Sequence, residues 1–135
     1  MCILFTLMNR CQILAIPLGQ DIAFIEAEAD SLYTIIKEAE FSDVYEVNKA
    51  ASALQNLSNN RKAQAIGTYY SKVASFYISG NENLLYDIDD LYAEFTGDEY
   101  EYIRLEIDLL LIDYFFGKSD LERASKILEL SLIHI

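Results

Sequence analysis

Carboxylates are the side chains with the clearest capacity for chemistry in this chain. Between Asn81 and Asp113 there are eleven of them against one base, Arg104, so this stretch carries ten of the twelve net negative charges. They are Glu82, Asp87, Asp89, Asp90, Glu94, Asp98, Glu99, Glu101, Glu106, Asp108 and Asp113. Two carboxylates at a suitable separation can act as acid and base in hydrolysis, but no spacing here indicates such a pair. We expect a solvated acidic face with charges that favour helix N-termini, or alternatively an electrostatic surface for a basic partner or peptide.

Other reaction types lack the residues that they need. His134 is the single histidine, which effectively excludes Ser–His and Cys–His nucleophile pairs. Cys2 and Cys11 have no CxxC or Cys/His spacing, and the chain has no glycine-rich phosphate loop. A calcium loop that began at Asp87 would place Tyr92 where glycine is required. We therefore predict no catalytic residue, no metal, no cofactor and no enzymatic activity.

Aromatic side chains are the second chemically informative group. The chain has ten tyrosines and seven phenylalanines, and many of them stand between residues 69 and 116. Most have the spacing of a helix core, but Tyr69 and Tyr70 are adjacent, as are Tyr114 and Phe115, so some are expected to point away from it. Tyrosine offers a rigid contact area with a polar tip, which suits peptide binding in a groove. The candidate groove residues are Tyr69, Tyr70, Tyr102, Arg104 and Tyr114.

The elements that must position these side chains are helices. Apolar residues recur at steps of three and four, proline occurs once and glycine five times. About seven helices are predicted, over residues 3–13, 21–39, 43–57, 61–78, 82–95, 99–116 and from 119 onward. Asp43 with Glu46, Asp98 with Glu101 and Ser119 with Glu122 have the spacing of capping boxes. Gly97 is predicted to end the fifth helix.

Three of the helix start signals, Asp43, Asn81 and Ser119, are 38 residues apart. Alignment of residues 43–80 with 81–118 places apolar on apolar positions, and each segment reads as a shorter helix, a polar turn and a longer helix. The pattern predicts an all-α, right-handed array of antiparallel helix pairs, tetratricopeptide-like, in one domain over 1–129. Its units are 43–80, 81–118 and a partial unit from 119. The tetratricopeptide signature is not met, and a plain helical bundle is the alternative.

The charge balance limits the classes of partner. With a net charge of −12 and a pI near 4.3, the chain repels phosphate backbones and anionic membrane surfaces. Its apolar runs are interrupted by charges before they could span a bilayer. We expect a cytoplasmic protein that contacts neither nucleic acid nor membrane through this segment, with reduced thiols.

The last six residues, Leu130–Ile135, resemble one reading frame of the transposase adapter used in sequencing libraries. A natural helix end is the alternative, since Leu and Ile fit that pattern. On the first interpretation residues 130–135 are a non-native tail, and His134 carries no function.

Two stretches carry a resemblance to a known family. They are the opening Leu4–Ile13, followed by Pro17-Leu18 to Phe24, and the segment Tyr102–Ala124 (YIRLEIDLLLIDYFFGKSDLERA). The first resembles the stretch that follows the DNA-binding head in Rgg/MutR-type transcriptional regulators of Gram-positive bacteria, and the second resembles their later helical repeats. In that family the repeats bind short secreted peptides and dimerise, while an N-terminal helix-turn-helix binds DNA. This chain contains no helix-turn-helix, and Gly97–Tyr100 stands where such proteins often carry a tryptophan, so no ligand-contact residue is transferred.

The resemblance implies the peptide-binding and dimerisation segment of a cytosolic transcriptional regulator, with the DNA-binding head outside this chain. The expected partners are a short peptide or a partner protein, and a second copy of the chain. A helical-repeat scaffold for protein–protein interaction, without a DNA role, is the alternative function.

Overall fold

The computed structural model describes residues 22–40, 42–57, 60–118 and 120–133, and all regular structure within these ranges is helical. The six α-helices are α1 (Ala27–Ala39), α2 (Val44–Gln55), α3 (Arg61–Ser79), α4 (Asn83–Leu91), α5 (Glu101–Gly117) and α6 (Leu121–Ile133). Two 3₁₀ turns, Tyr92–Glu94 and Asp98–Tyr100, lie between α4 and α5. The predicted all-α class is confirmed. The predicted helix 3–13 and the predicted cap Ser119 lie outside the described residues.

The described residues form two compact units. In the unit Ile22–Glu94, α1 packs on α2, α2 on α3 and α3 on α4. In the other, which comprises the described residues from Phe95 onward, α5 packs on α6. The division falls between Glu94 and Phe95, inside the predicted repeat unit 81–118.

The start of α2 follows the predicted capping logic, but only in part. The Asp43 carboxylate accepts hydrogen bonds from the backbone N–H groups of Tyr45 and Glu46, as an N-cap residue does. A full capping box would also require Glu46 to accept the N–H of Asp43. That N–H instead donates to the Ala39 carbonyl, 2.9 Å away at the end of α1. The backbone of α1 therefore takes the place of the second half of the box.

The beginning of α1 differs from the prediction. The helix starts at Ala27, whereas the periodicity predicts a start near residue 21, and Ile25, expected on the buried stripe, is fully exposed. The preceding segment, Ile22–Glu26, is non-helical and is called the strap below. Side chains at the start of α3 bind it: Lys62 Nζ donates to the Ala23 carbonyl at 2.7 Å. These tertiary bonds hold the strap away from the helical path that its own sequence favours.

The connection between α4 and α5 also differs. The predicted helix 82–95 ends its α-helical part at Leu91, and Gly97, with φ of 95°, precedes the second 3₁₀ turn instead of capping α4. The predicted box of Asp98 and Glu101 is absent, since no side chain caps the start of α5. Arg104 replaces these local signals. Its guanidinium donates to the carbonyls of Phe95 and Gly97 and thereby fixes the turn.

The buried face of α5 is rotated relative to the prediction. Steps of three and four from Leu105 predict an inner face of Leu105, Leu109, Ile112 and Phe116. Of these only Ile112 is buried, and Phe116 is 48% exposed. The buried set is Ile103, Glu106, Ile107, Leu110, Leu111, Ile112 and Phe115. The helix has apolar residues of its own on nearly all sides, so the spacing of those residues does not determine which side faces inward.

Helices α2 and α3 approach each other at Gly67. A β-carbon at this position would lie 2.3 Å from the Gln55 backbone nitrogen and 2.7 Å from the Ala51 carbonyl oxygen. Backbone atoms cannot move aside as the end of a flexible side chain can, so only glycine fits. Ala51, whose carbonyl oxygen lies at this contact, is itself fully buried.

Replacement of Gly67 by alanine is expected to lower the free energy of unfolding by about 1–3 kcal/mol. The helix-propensity gain of roughly 1 kcal/mol is outweighed by the backbone overlap. The matched control is Gly117→Ala at the end of α5, where an added β-carbon meets nothing within 4 Å and stability is expected not to fall. Urea unfolding followed by circular dichroism measures both. Equal stabilities of the two variants would contradict the close approach.

Candidate functional site

The outer face of α4, in the unit Ile22–Glu94, is strongly acidic. Leu85, Ile88 and Leu91 are buried, and with about 100° between successive residues the opposite side of the helix is acidic. The residues that are exposed on this side, or flank it at the helix ends, are Glu82, Tyr86, Asp87, Asp89, Asp90 and Glu94. These six residues are called the acidic face. It combines five carboxylates with one aromatic ring.

The carboxylates at the C-terminal end of α4 do not stabilise the helix. Helix dipoles favour acids in the first turn and bases in the last, yet α4 has no acid in its first turn and no base in its last. Asp89 and Asp90 lie at the wrong end. Partial burial, and then the charge of Asp90, raise the pKa of the Asp89 carboxyl. Glu82, at the N-cap position of α4, fits the expectation of negative charge at a helix N-terminus, and the exposure of all five carboxylates fits that of a solvated acidic face.

Two carboxylates of the acidic face have described side-chain contacts, one with a lysine of α3 and one with Tyr86. Lys72 Nζ, on α3, lies 3.5 Å from Asp87 Oδ2, with both side chains partly exposed. Tyr86 is 45% exposed, and its hydroxyl lies 3.5 Å from Glu82 Oε1. An exposed ring among carboxylates can bind a cationic side chain both by its charge and through its π face. The candidate groove residues did not include Tyr86, although its spacing from Leu85 and Ile88 places it opposite the core.

The remaining carboxylates belong to the other unit and have different environments. Asp98, Glu99 and Glu101 are exposed at the start of α5, where negative charge stabilises a helix. Glu106 is only 3% exposed, so the expectation of a solvated face is wrong there. Asp113 is half-buried, and desolvation raises the pKa of its carboxyl.

Tyr69 and Tyr70 lie in the core, each 1% exposed. Their rings contact each other edge-on, with 4.7 Å between the ring centres, and the centre of the Tyr70 ring lies 6.3 Å from that of Tyr33 on α1. The expectation that one of two adjacent tyrosines points away from the core is wrong here, because α3 packs against both α2 and α4. A helix covered on two sides can bury neighbouring residues.

The other three candidates lie on α5 and are half-buried. Tyr102 and Tyr114 are separated by about 18 Å along the helix axis, from twelve residues at roughly 1.5 Å each. Arg104 is engaged by the turn at Phe95 and Gly97. Lys118 Nζ lies 5.6 Å from the centre of the Tyr114 ring. The helix spreads these residues along its length and does not gather them at one point. Their role in ligand binding stays a prediction.

Within the described ranges, no group of three or more His, Cys, Asp or Glu side chains is arranged to hold a metal ion. None of the described helices combines the length and apolar character needed to cross a membrane. No family model, curated protein or solved structure matches the chain.

Replacement of Asp89 by asparagine is expected to raise the free energy of unfolding slightly at pH 7, by no more than about 0.5 kcal/mol for a surface site. The folded pKa lies above the ordinary value of 3.8, so the folded state binds the proton more tightly. The parent therefore loses stability as pH rises from 3.8 through the folded pKa. The gain in the variant should disappear as pH falls below 3.8.

Thermal unfolding at pH 7 and pH 3 measures this difference. Glu122→Gln is the control, because Glu122 lies in the first turn of α6, where negative charge is favourable and its removal should cause a small loss. A loss of stability in the Asp89 variant at pH 7 would contradict the electrostatic account of α4.

Replacement of Arg104 by alanine is expected to lower the free energy of unfolding by about 1.5–3 kcal/mol without any ligand, because a charged donor to two carbonyls is lost. Arg61→Ala, at an exposed site at the start of α3, should change stability by less than about 0.5 kcal/mol. Urea unfolding of both variants tests whether Arg104 stabilises the folded chain or acts only in binding a ligand. In the second case the two variants would be equally stable.

Proposed function

We propose that this chain is the peptide-binding and dimerisation segment of a cytosolic transcriptional regulator that resembles the Rgg/MutR type. Its helices are proposed to form a right-handed array of antiparallel pairs of the tetratricopeptide kind, with the DNA-binding head outside these residues. The chain itself is proposed to have no enzymatic activity and to contact neither nucleic acid nor membrane.

The observation that carries the peptide-binding part is the acidic face of α4. Five exposed carboxylates lie on or beside the side of α4 that exposes Tyr86, and Lys72 is the one base with a described contact to them. Acids at the C-terminal end of a helix oppose its dipole, so the arrangement is better explained by recognition than by stability. A basic peptide complements this surface in charge. The packing of α1 to α4, each on the next, is consistent with stacked hairpins.

A charge-neutralised surface tests peptide binding. The variant Asp87→Asn, Asp89→Asn, Asp90→Asn is expected to bind a lysine-rich peptide about tenfold more weakly than the parent, since three exposed charges contribute roughly 0.5 kcal/mol each. The control variant Asp98→Asn, Glu99→Gln, Glu101→Gln removes the same charge from the start of α5. Calorimetric titration at low and physiological salt measures both. Equal losses in both variants would show that only net charge matters.

The regulator part of the proposal has a separate test. The complete gene should be recovered from the source DNA, and a helix-turn-helix should be encoded upstream of Met1. Its absence there would rule out the regulator while leaving peptide binding intact.

The second candidate is a helical-repeat scaffold without a DNA role. It is favoured by the same acidic face, because a folded basic partner complements that surface as well as a peptide does. Binding of a folded basic protein, with no binding of short basic peptides in calorimetry, would favour the scaffold over the regulator.

A further inference from the structure

The strap is a place where local sequence preference and tertiary structure disagree. The apolar spacing of residues 21–39 predicts one continuous helix, in which Ile22 and Ile25 join the buried stripe of α1. In the structure the helix begins only at Ala27. Such conflicts indicate that a competing interaction outweighs the local preference. The contacts of the strap identify that interaction.

The strap is bound through alternate residues, as an extended peptide is. Ile22 is 5% exposed and Phe24 is half-buried, whereas Ala23 and Ile25 are exposed. The Phe24 ring contacts the Tyr33 ring edge-on at 5.6 Å, and Lys62 Nζ lies 5.4 Å from the centre of the Phe24 ring. The same ammonium group binds the Ala23 carbonyl at 2.7 Å. The ammonium group of Lys62 thus contacts both the backbone and an aromatic side chain of the strap.

An acidic contact completes the set. Glu26 Oε2 accepts a hydrogen bond from Asn60 Nδ2 at 2.8 Å. The other end of the same amide, Asn60 Oδ1, accepts the Ala63 N–H and caps α3. The cap therefore fixes the orientation of the Asn60 amide group, which donates the hydrogen bond to the Glu26 carboxylate. The contacts of the strap thus fall on every second residue: Ile22 is buried, the Phe24 ring contacts Tyr33 and Lys62, and the Glu26 carboxylate accepts from Asn60.

We propose that Tyr33, Asn60 and Lys62 form a docking site for an extended peptide, which the strap occupies in cis. The peptide carries an apolar residue, an aromatic residue two positions later and an acidic residue two positions after that. Its aromatic ring lies between Tyr33 and Lys62, its backbone carbonyl accepts from Lys62, and its carboxylate accepts from Asn60. A peptide of this pattern displaces the strap, which then joins α1 as a helix.

Two physical points make exchange between strap and peptide feasible. The three described polar and ring contacts are made to groups that any peptide of this pattern presents, and none depends on the covalent link to Ala27. Because it is tethered, the strap competes with free peptide at an effective concentration in the millimolar range. Weakening the contacts of the strap therefore raises the measured affinity of the site for free peptide. The helical preference of residues 21–26 also stabilises the released strap.

This inference deepens the proposed function, on which its biological role rests, by naming a second ligand chemistry. The site lies at the start of α3 and takes an acidic, aromatic peptide, whereas the acidic face of α4 takes a basic one. Failure of one binding test therefore leaves the other unaffected.

The test uses the full chain and a fluorescent acetylated peptide with the sequence of residues 21–27, DIAFIEA. In fluorescence anisotropy the Phe24→Ala chain is expected to bind it at least about tenfold more tightly than the parent, because the tethered competitor is weakened. Ile25→Ala is the matched control, since Ile25 is fully exposed on the same strap, and should bind as the parent does. Adding Lys62→Met to Phe24→Ala should remove the binding, as should replacing phenylalanine by alanine in the peptide.

A second measurement avoids variants that destabilise the chain. Solution NMR of the isotope-labelled, unmodified chain with the unlabelled peptide at several millimolar should show the Cα chemical shifts of residues 22–26 move towards helical values, because the displaced strap joins α1. Unchanged strap shifts would overturn the proposal. So would equal affinity of the Phe24→Ala and parent chains when circular dichroism shows both to be folded.

Discussion

The unit Ile22–Glu94 depends on the contact between α2 and α3 at Gly67. Because an added β-carbon would overlap the backbone of Gln55 and Ala51, the two helices lie as close as their main chains allow. That proximity, together with α4 on another side, helps to bury Tyr69, Tyr70 and Phe76 of α3. Tyr69 and Tyr70 are adjacent in sequence and both are buried for this reason. The orientation of α3 also sets where Asn60 and Lys62, at its start, meet the strap.

The strap shows how a few tertiary contacts outweigh helix propensity. Differences in helix propensity amount to a few tenths of a kcal/mol per residue. A charge-assisted bond from Lys62, a bond from Asn60 and a ring contact with Tyr33 exceed that total over five residues. In the proposed exchange, a peptide that supplies the same contacts frees the strap to follow its helical preference.

The acidic residues divide by environment rather than by sequence position. At the start of α5 they stabilise the helix, and at the end of α4 they oppose it. Glu106 represents a third environment, because its side chain is buried on α5, a largely apolar helix. A run of eleven carboxylates therefore contains at least three physical roles, and only the set on α4 lies together on one solvent-facing side of a helix.

Much of the local structure follows from the sequence alone. The helical class follows from the periodicity of apolar residues. The cap at Asp43 follows from a side chain that can accept backbone N–H groups. Tertiary structure decided the rest. The start of α1, the buried face of α5, the burial of both Tyr69 and Tyr70, and the turn bound by Arg104 depend on residues distant in the chain or on neighbouring helices. Apolar spacing shows that a helix has a core-facing side, but only a neighbouring helix determines how many sides are covered, and that decided which aromatic and acidic residues remain exposed.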